Sequence, residues 1–100
     1  MTEDNTIFIG GKPFMNYVSS VVVQFTTKGA DDIIIKARGK FISRAVDVAE
    51  VATKRFLKDQ IELKDIKISS ESFKNEQGQD VRVSAIEIII KKKERLPVDD

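Results

Sequence analysis

Apolar and polar positions along the chain change period several times, and each change marks an element. Thr6 to Ile9 alternates as a short strand. Gly10, Gly11, Lys12 and Pro13 then form a tight connection, with Pro13 suited to the first position of a helix, where its missing N–H costs nothing. Phe14, Tyr17, Val18, Val21, Val22 and Phe25 recur at helical spacing, and Gly29 is the expected cap. The run Ile33, Ile34, Ile35 predicts a strand buried on both faces, which Gly39 breaks. From Phe41 the period is helical again, with Ile42, Ala45, Val46, Ala49, Thr53 and Phe56 on one stripe. After a turn at Lys58-Asp59, Ile61 and Leu63 open a third strand on one phase, and Ile66 and Ile68 continue it on the other. That slip around Lys64-Asp65 predicts a bulge. The fourth strand slips too, from odd Val81, Val83 and Ala85 to even Ile86, Ile88 and Ile90. Two facing slips predict a hairpin whose inner and outer halves bury different faces. Its loop is Phe73 to Asp80, with Gly78 as the left-handed residue.

The order is strand, helix, strand, helix, strand, strand, a βαβαββ chain. Both helices carry one apolar stripe, so both fit one face of a four-stranded mixed sheet, and the crossover between the first two strands is expected to be right-handed. The fold class is α/β, more narrowly an α+β two-layer sandwich. The hairpin is long for so small a domain, and its outer half is expected to project as an arm. The chain of 100 residues makes one domain, 1–100, with flexible tails expected at 1–5 and 94–100. A domain of this size buries only about two thirds of its unfolded surface, so a partner subunit would help.

Charge narrows the functions open to the chain. Seventeen basic and sixteen acidic residues leave a net charge of +1, so an electrostatic site must come from local segregation. Without cysteine there is no disulfide, thiolate metal site or thiol nucleophile. Without histidine the commonest general base and metal ligand are missing too. No cofactor and no metal are expected. The acidic N-terminus is unlike a secretory signal, and no apolar run approaches the roughly 20 residues of a membrane span. A soluble, intracellular protein with no membrane partner is expected.

The central stretch carries the segregated charge. Lys36, Arg38 and Lys40 alternate with Ala37 and Gly39, so three cations project together where the strand ends. Arg44 lies one turn beyond Lys40 and can join them. A strand, basic turn and helix facing a polyanion is one reading; a solvated turn, basic by chance, is the other. Lys12 poses the same choice: a cation at a helix N-terminus opposes the dipole unless a bound anion is shared, or it is an ordinary exposed lysine. The glycine pair before it fits neither common nucleotide-binding loop. Lys74 and Arg82 sit in the arm, where a basic ribbon can reach into a duplex groove or merely keep a mobile hairpin hydrated. The lysines that begin KKKER are assigned at most an auxiliary, non-specific role.

IFIGGKPFMNYV, IIIKARGKFISRAVDVAEV, KRFLKD and VSAIEIIIKKK resemble the corresponding segments of the Alba family of archaeal chromatin proteins, over most of Ile7 to Lys92. The most specific pieces are Gly11 to Val18 and Lys36 to Asp47. The resemblance implies the fold shared with the C-terminal domain of translation initiation factor 3, and a homodimer. It implies a chromosome-associated, cytoplasmic protein that coats and compacts double-stranded DNA, and often binds RNA, with little sequence preference. In that family the body sits against the backbone and paired arms reach toward the minor groove. By position, Lys12 matches the family's nucleic-acid-binding lysine, and Arg38 and Lys40 match its basic turn; Lys74 and Arg82 correspond more loosely. Phe56 matches a phenylalanine that packs neighbouring dimers together along DNA, although it also reads as the last core residue of its helix. One departure matters: family members often carry two lysines before the proline, the first open to acetylation, and here that place is Gly11. Acetylation at that position is excluded, and lower affinity is expected.

Three rivals stand beside the DNA-coating expectation. One is an RNA chaperone or a subunit of a ribonucleoprotein such as ribonuclease P. Another is an assembly module that binds protein alone. The last is an enzyme, which would need a carboxylate or lysine site, yet the acidic residues cluster only as helical neighbours such as Asp47 and Glu50. The expectation is that the chain is not an enzyme.

Overall fold

A computed structural model describes residues 5–93. The tails expected at either end therefore lie almost wholly outside the described residues. The order is β1 (Thr6–Phe8), α1 (Phe14–Thr26), β2 (Asp32–Arg38), a 3-10 turn (Gly39–Phe41), α2 (Ile42–Val51), a π-helical turn (Ala52–Phe56), β3 (Ile61–Lys74) and β4 (Asp80–Lys92). The strands form one sheet in the order β1-β2-β4-β3, with β1 parallel to β2 and the other pairs antiparallel. This is the expected α+β sandwich.

The isoleucine run does less than a doubly buried strand would. Ile33 and Ile35 are fully buried beneath the helices, while Ile34 lies half-buried on the opposite, open face. Their β4 partners Ile88 and Ile90 complete that inner layer, and Val18, Val21, Ala45 and Val48 pack onto it. The first helix is as the spacing predicts, with Tyr17, Val18, Val21 and Phe25 buried. Pro13 stands one residue earlier than expected, capping the helix instead of opening it. At the other end Gly29 takes φ +70°, and the Ala30 N–H returns to the Gln24 carbonyl at 2.9 Å.

The second helix departs from its predicted stripe. Ala45, Val48, Ala49 and Ala52 are its buried residues, and Val46 and Phe56 are exposed. Val46 gives way to Val48 within the α-helix itself, whereas Phe56 is displaced by the last turn, where the Leu57 N–H bonds the Ala52 carbonyl five residues back, at 2.9 Å. A π turn holds more residues than an α turn and shifts the side chains that follow. Leu57 is thereby brought into the core and Phe56 is left outside, so Phe56 is not the helix's last core residue.

The third strand has the predicted bulge, a register shift between Leu63 and Asp65. The fourth strand does not slip: β4 pairs without interruption from Asp80 to Lys92. Its change of phase is a change of burial. Ala85 and Ile86 are both buried because β2 ends opposite Ala85, and the 3-10 turn then covers the other side of the ribbon at Val83. From Ser70 to Ser84 the two strands pair only with each other and form the expected arm. The described chain measures 66 × 26 × 24 Å, with a radius of gyration of 15.6 Å against about 13 Å for a compact domain of this length. The arm's tip is tighter than predicted, residues 75–79, with Gly78 at φ +77°. There the Asn75 side-chain oxygen accepts from the Gln77 and Gln79 amides.

Candidate nucleic-acid interface

The basic turn is built by three local facts. Strand alternation puts Lys36 and Arg38 on the open face, since Ile35 and Ala37 are committed to the core. Gly39, at φ +54°, then reverses the chain into the 3-10 turn. That turn presents Lys40 and packs against the arm, where a Cβ on Gly39 would lie 3.6 Å from Val83. Lys36, Arg38 and Lys40 consequently line one depression at the root of the arm, with Phe8, Phe73 and Glu71 among its other walls.

The loop before α1 is held by Tyr17. Its buried phenolic oxygen accepts from the Gly10 amide at 2.9 Å and the Lys12 amide at 3.0 Å. Arg44, at the start of α2, donates from Nη2 to the Lys12 carbonyl at 2.8 Å, and its guanidinium lies 6.0 Å from the Phe14 ring centre. The Arg44 Nε is buried without a hydrogen-bond partner among the described residues. The backbone of the Lys12 loop is thus tied through Arg44 to the helix that follows Lys40.

Several of these cations have carboxylate partners. Arg38 Nε lies 3.3 Å from Glu71 Oε1, and Lys36 Nζ lies 3.9 Å from Glu87 Oε2. On the arm, Lys74 Nζ lies 2.9 Å from Asp80 Oδ1. These pairs are well exposed, and such pairs contribute about 0–1 kcal/mol each. Among the described residues, Lys12 and Lys40 have no carboxylate partner; the Lys40 ammonium lies 5.4 Å from the Phe41 ring centre. Lys74 and Arg82 are not part of the cluster. By strand alternation they occupy the face of the ribbon away from the depression, far out on the arm. Phe56 lies at the end of the π turn, next to Arg55 and outside the depression lined by Lys36, Arg38 and Lys40.

Sequence reading passed over two residues the geometry brings forward. Tyr17 reads as a core helix position and is one, yet its hydroxyl shapes the Lys12 loop. Phe8 is exposed on the outer face of β1, a placement that follows from the inward pointing of Ile7 and Ile9. Among the described residues no group of three or more histidine, cysteine or acidic side chains could hold a metal ion, and no helix is long and apolar enough to cross a membrane.

The sequence and the fold match known proteins. The Alba family model matches residues 5–70. The DNA/RNA-binding protein Alba 1 of Archaeoglobus fulgidus is 58% identical over 90 residues, spanning 90% of this chain and 98% of that protein. The DNA/RNA-binding protein Alba of Methanocella arvoryzae is 53% identical over 92 residues, spanning 92% and 94%. Among solved structures, Alba from Thermoplasma volcanium superposes with a TM-score of 0.79 at 47% identity, covering 87% of this chain and 99% of that one. With the family model, these relatives and the fold in agreement, the chain belongs to the Alba family.

Proposed function

We propose that this protein is a dimeric architectural protein that coats duplex DNA, and structured RNA, through phosphate contacts with little regard for sequence. The observation that carries the reading is the depression lined by Lys36, Arg38 and Lys40 on a chain of net charge +1, with the Lys12 loop tied to the following helix by Arg44. Cations held by a loop, a turn and a strand end meet phosphates, which position a protein without reading bases. The exposed carboxylate partners of Arg38 and Lys36 yield to phosphate at little cost. On the arms, Lys74 and Arg82 add contacts beyond the body, in or beside a groove. Both curated relatives named above are called DNA/RNA-binding proteins, and neither is named for a reaction. Such a protein works at the chromosome, in the cytoplasm.

Dimerisation is supported by an apolar strip on the side opposite the cations. β3 lies beyond the cover of the helices, and its bulge keeps Leu63, Ile66 and Ile68 on one exposed face. Ile42 and Ile68 line one shallow depression, and Val46 follows one turn along α2. A two-fold pair joined there buries these residues and leaves both basic surfaces free.

Salt dependence tests the mechanism. Each phosphate contact releases condensed counterion, so about six contacts per dimer predict a roughly thousandfold loss of affinity between about 50 and 200 mM salt. Arg38→Ala should weaken binding to all duplex sequences alike and flatten that slope. A flat response in the unaltered protein sinks the electrostatic reading, and a loss confined to one sequence sinks the non-specific one.

A further inference from the structure

We propose that the depression at the root of the arm is a stacking site for unpaired bases, so that the protein holds single-stranded nucleic acid there. The inference rests on the nucleic-acid reading above and adds a ligand class to the same cations.

Its starting point is the aromatic lining. Phe8 is 59% exposed on the outer face of β1, and Phe73 is 47% exposed further along the arm, two positions beyond Glu71 on the same face of β3. Both line the depression that holds Lys36, Arg38 and Lys40. A scattered exposed phenylalanine needs no explanation. Two around one basic depression, on a sheet whose other face is filled by helices, are a different matter. Leaving both rings about half exposed forgoes part of the burial they could gain, and the surface keeps them beside cations. The Lys36 ammonium lies 5.8 Å from the Phe8 ring centre, so a strand whose base stacks on that ring brings its flanking phosphate within reach of Lys36. Aromatic faces joined to a basic groove are the general means of holding single strands, because every base has a π face.

The occupant is chosen by what it can offer. A paired duplex keeps its base faces stacked inside, so it meets the cations and leaves Phe8 and Phe73 in water. An unpaired base offers a ring face and a phosphate together. Three cations face Glu71 and Glu87 around the depression, a positive balance that suits a polyanion. A second copy of this chain would cover the cations as well as the rings, and the uncharged Leu63, Ile66 and Ile68 face suits that partner better.

The test uses the whole chain and fluorescence anisotropy at one fixed, low salt concentration. The probes are a labelled oligothymidylate, an abasic strand with the same number of phosphates, and a duplex. The unaltered protein should bind oligothymidylate at least about fivefold more tightly than the abasic strand, the lower bound for one stacked base. Phe8→Leu keeps apolar bulk and removes the aromatic face; it should erase most of that preference and leave duplex binding within about twofold. Phe8→Tyr keeps a ring and should bind as the unaltered protein does. An abasic strand bound as tightly as oligothymidylate overturns the proposal while leaving the phosphate mechanism intact. So does a Phe8→Leu loss shared equally by strand and duplex, or a Phe8→Tyr protein that binds like Phe8→Leu. A protein that binds none of the probes overturns this proposal and the function it rests on.

Discussion

At the scale of single residues, Arg38 shows how a nearly neutral chain can present a positive surface. Its guanidinium reaches Glu71 across the root of the arm, and both side chains are about half exposed. An exposed pair is worth at most about 1 kcal/mol, so phosphate competes for Arg38 at a small penalty. Glu71→Gln should therefore raise duplex affinity by up to about fivefold per subunit at low salt, with the gain shrinking as salt rises. Titrations of both proteins across salt check this; an unchanged or weaker affinity would mean that the pair orients Arg38 and does not restrain it. That Lys36 and Arg38 meet was legible in the chain, because it follows from strand alternation, whereas Lys40 joins them through the 3-10 turn that Gly39 opens. Their partners were not. Glu71 and Glu87 are distant in sequence and become neighbours only through the pairing of Arg38 with Ala85 and Lys36 with Glu87. Nor does periodicity reveal that Tyr17, a core position, uses its hydroxyl to fix the loop that carries Lys12.

At the scale of elements, the helices, strands, bulge and arm follow from period and punctuation, and the failures have definite causes. The end of the α2 stripe was misplaced because a fixed helical period runs through a turn that is not α-helical. Five-residue closure at Ala52 moves the register, and Leu57 enters the core where Phe56 was expected. The second strand slip was inferred from a phase change that pairing does not share. A ribbon that leaves its sheet meets different cover on each face, so burial can switch sides without a bulge. Outside the core, Phe56 is left free to meet a neighbouring molecule, as a core residue would not be. Phe56→Ala, at a side chain 50% exposed, should cost the isolated protein no more than about 1 kcal/mol of stability. If Phe56 joins neighbouring dimers, the same change should leave the first binding event on a short duplex unaltered and abolish cooperative loading on a long one. Binding isotherms on the two lengths decide it; cooperativity that survives Phe56→Ala places the contact elsewhere.

At the scale of the whole molecule, shape and patterning divide the work between two sides. The open sheet face, the 3-10 turn and the Lys12 loop carry Lys36, Arg38, Lys40 and Lys12, while Lys54, Arg55 and Lys58 are exposed at and beyond the end of α2. The uncovered stretch of β3 and the flank of α2 carry an apolar strip. One subunit alone offers five body cations to a long polyanion, Lys12, Lys36, Arg38, Lys40 and Arg44, two of them shared with carboxylates. Joining two subunits through the strip, as proposed, would double the phosphate contacts at no cost in cations. It also fixes two arms to one body, so each arm acts at high effective concentration once the body is bound. Ile68 is the most direct probe, being 80% exposed near the middle of the strip. Ile68→Asp removes nothing from the monomer's core, so its far-ultraviolet circular dichroism should be unchanged, while sedimentation should report a monomer. Duplex affinity should then fall and the salt slope should drop to about half, because the slope counts phosphate contacts per binding unit. A protein that remains dimeric would move the two-fold axis away from β3. One that becomes monomeric yet keeps the full slope would show that a single subunit already supplies every phosphate contact.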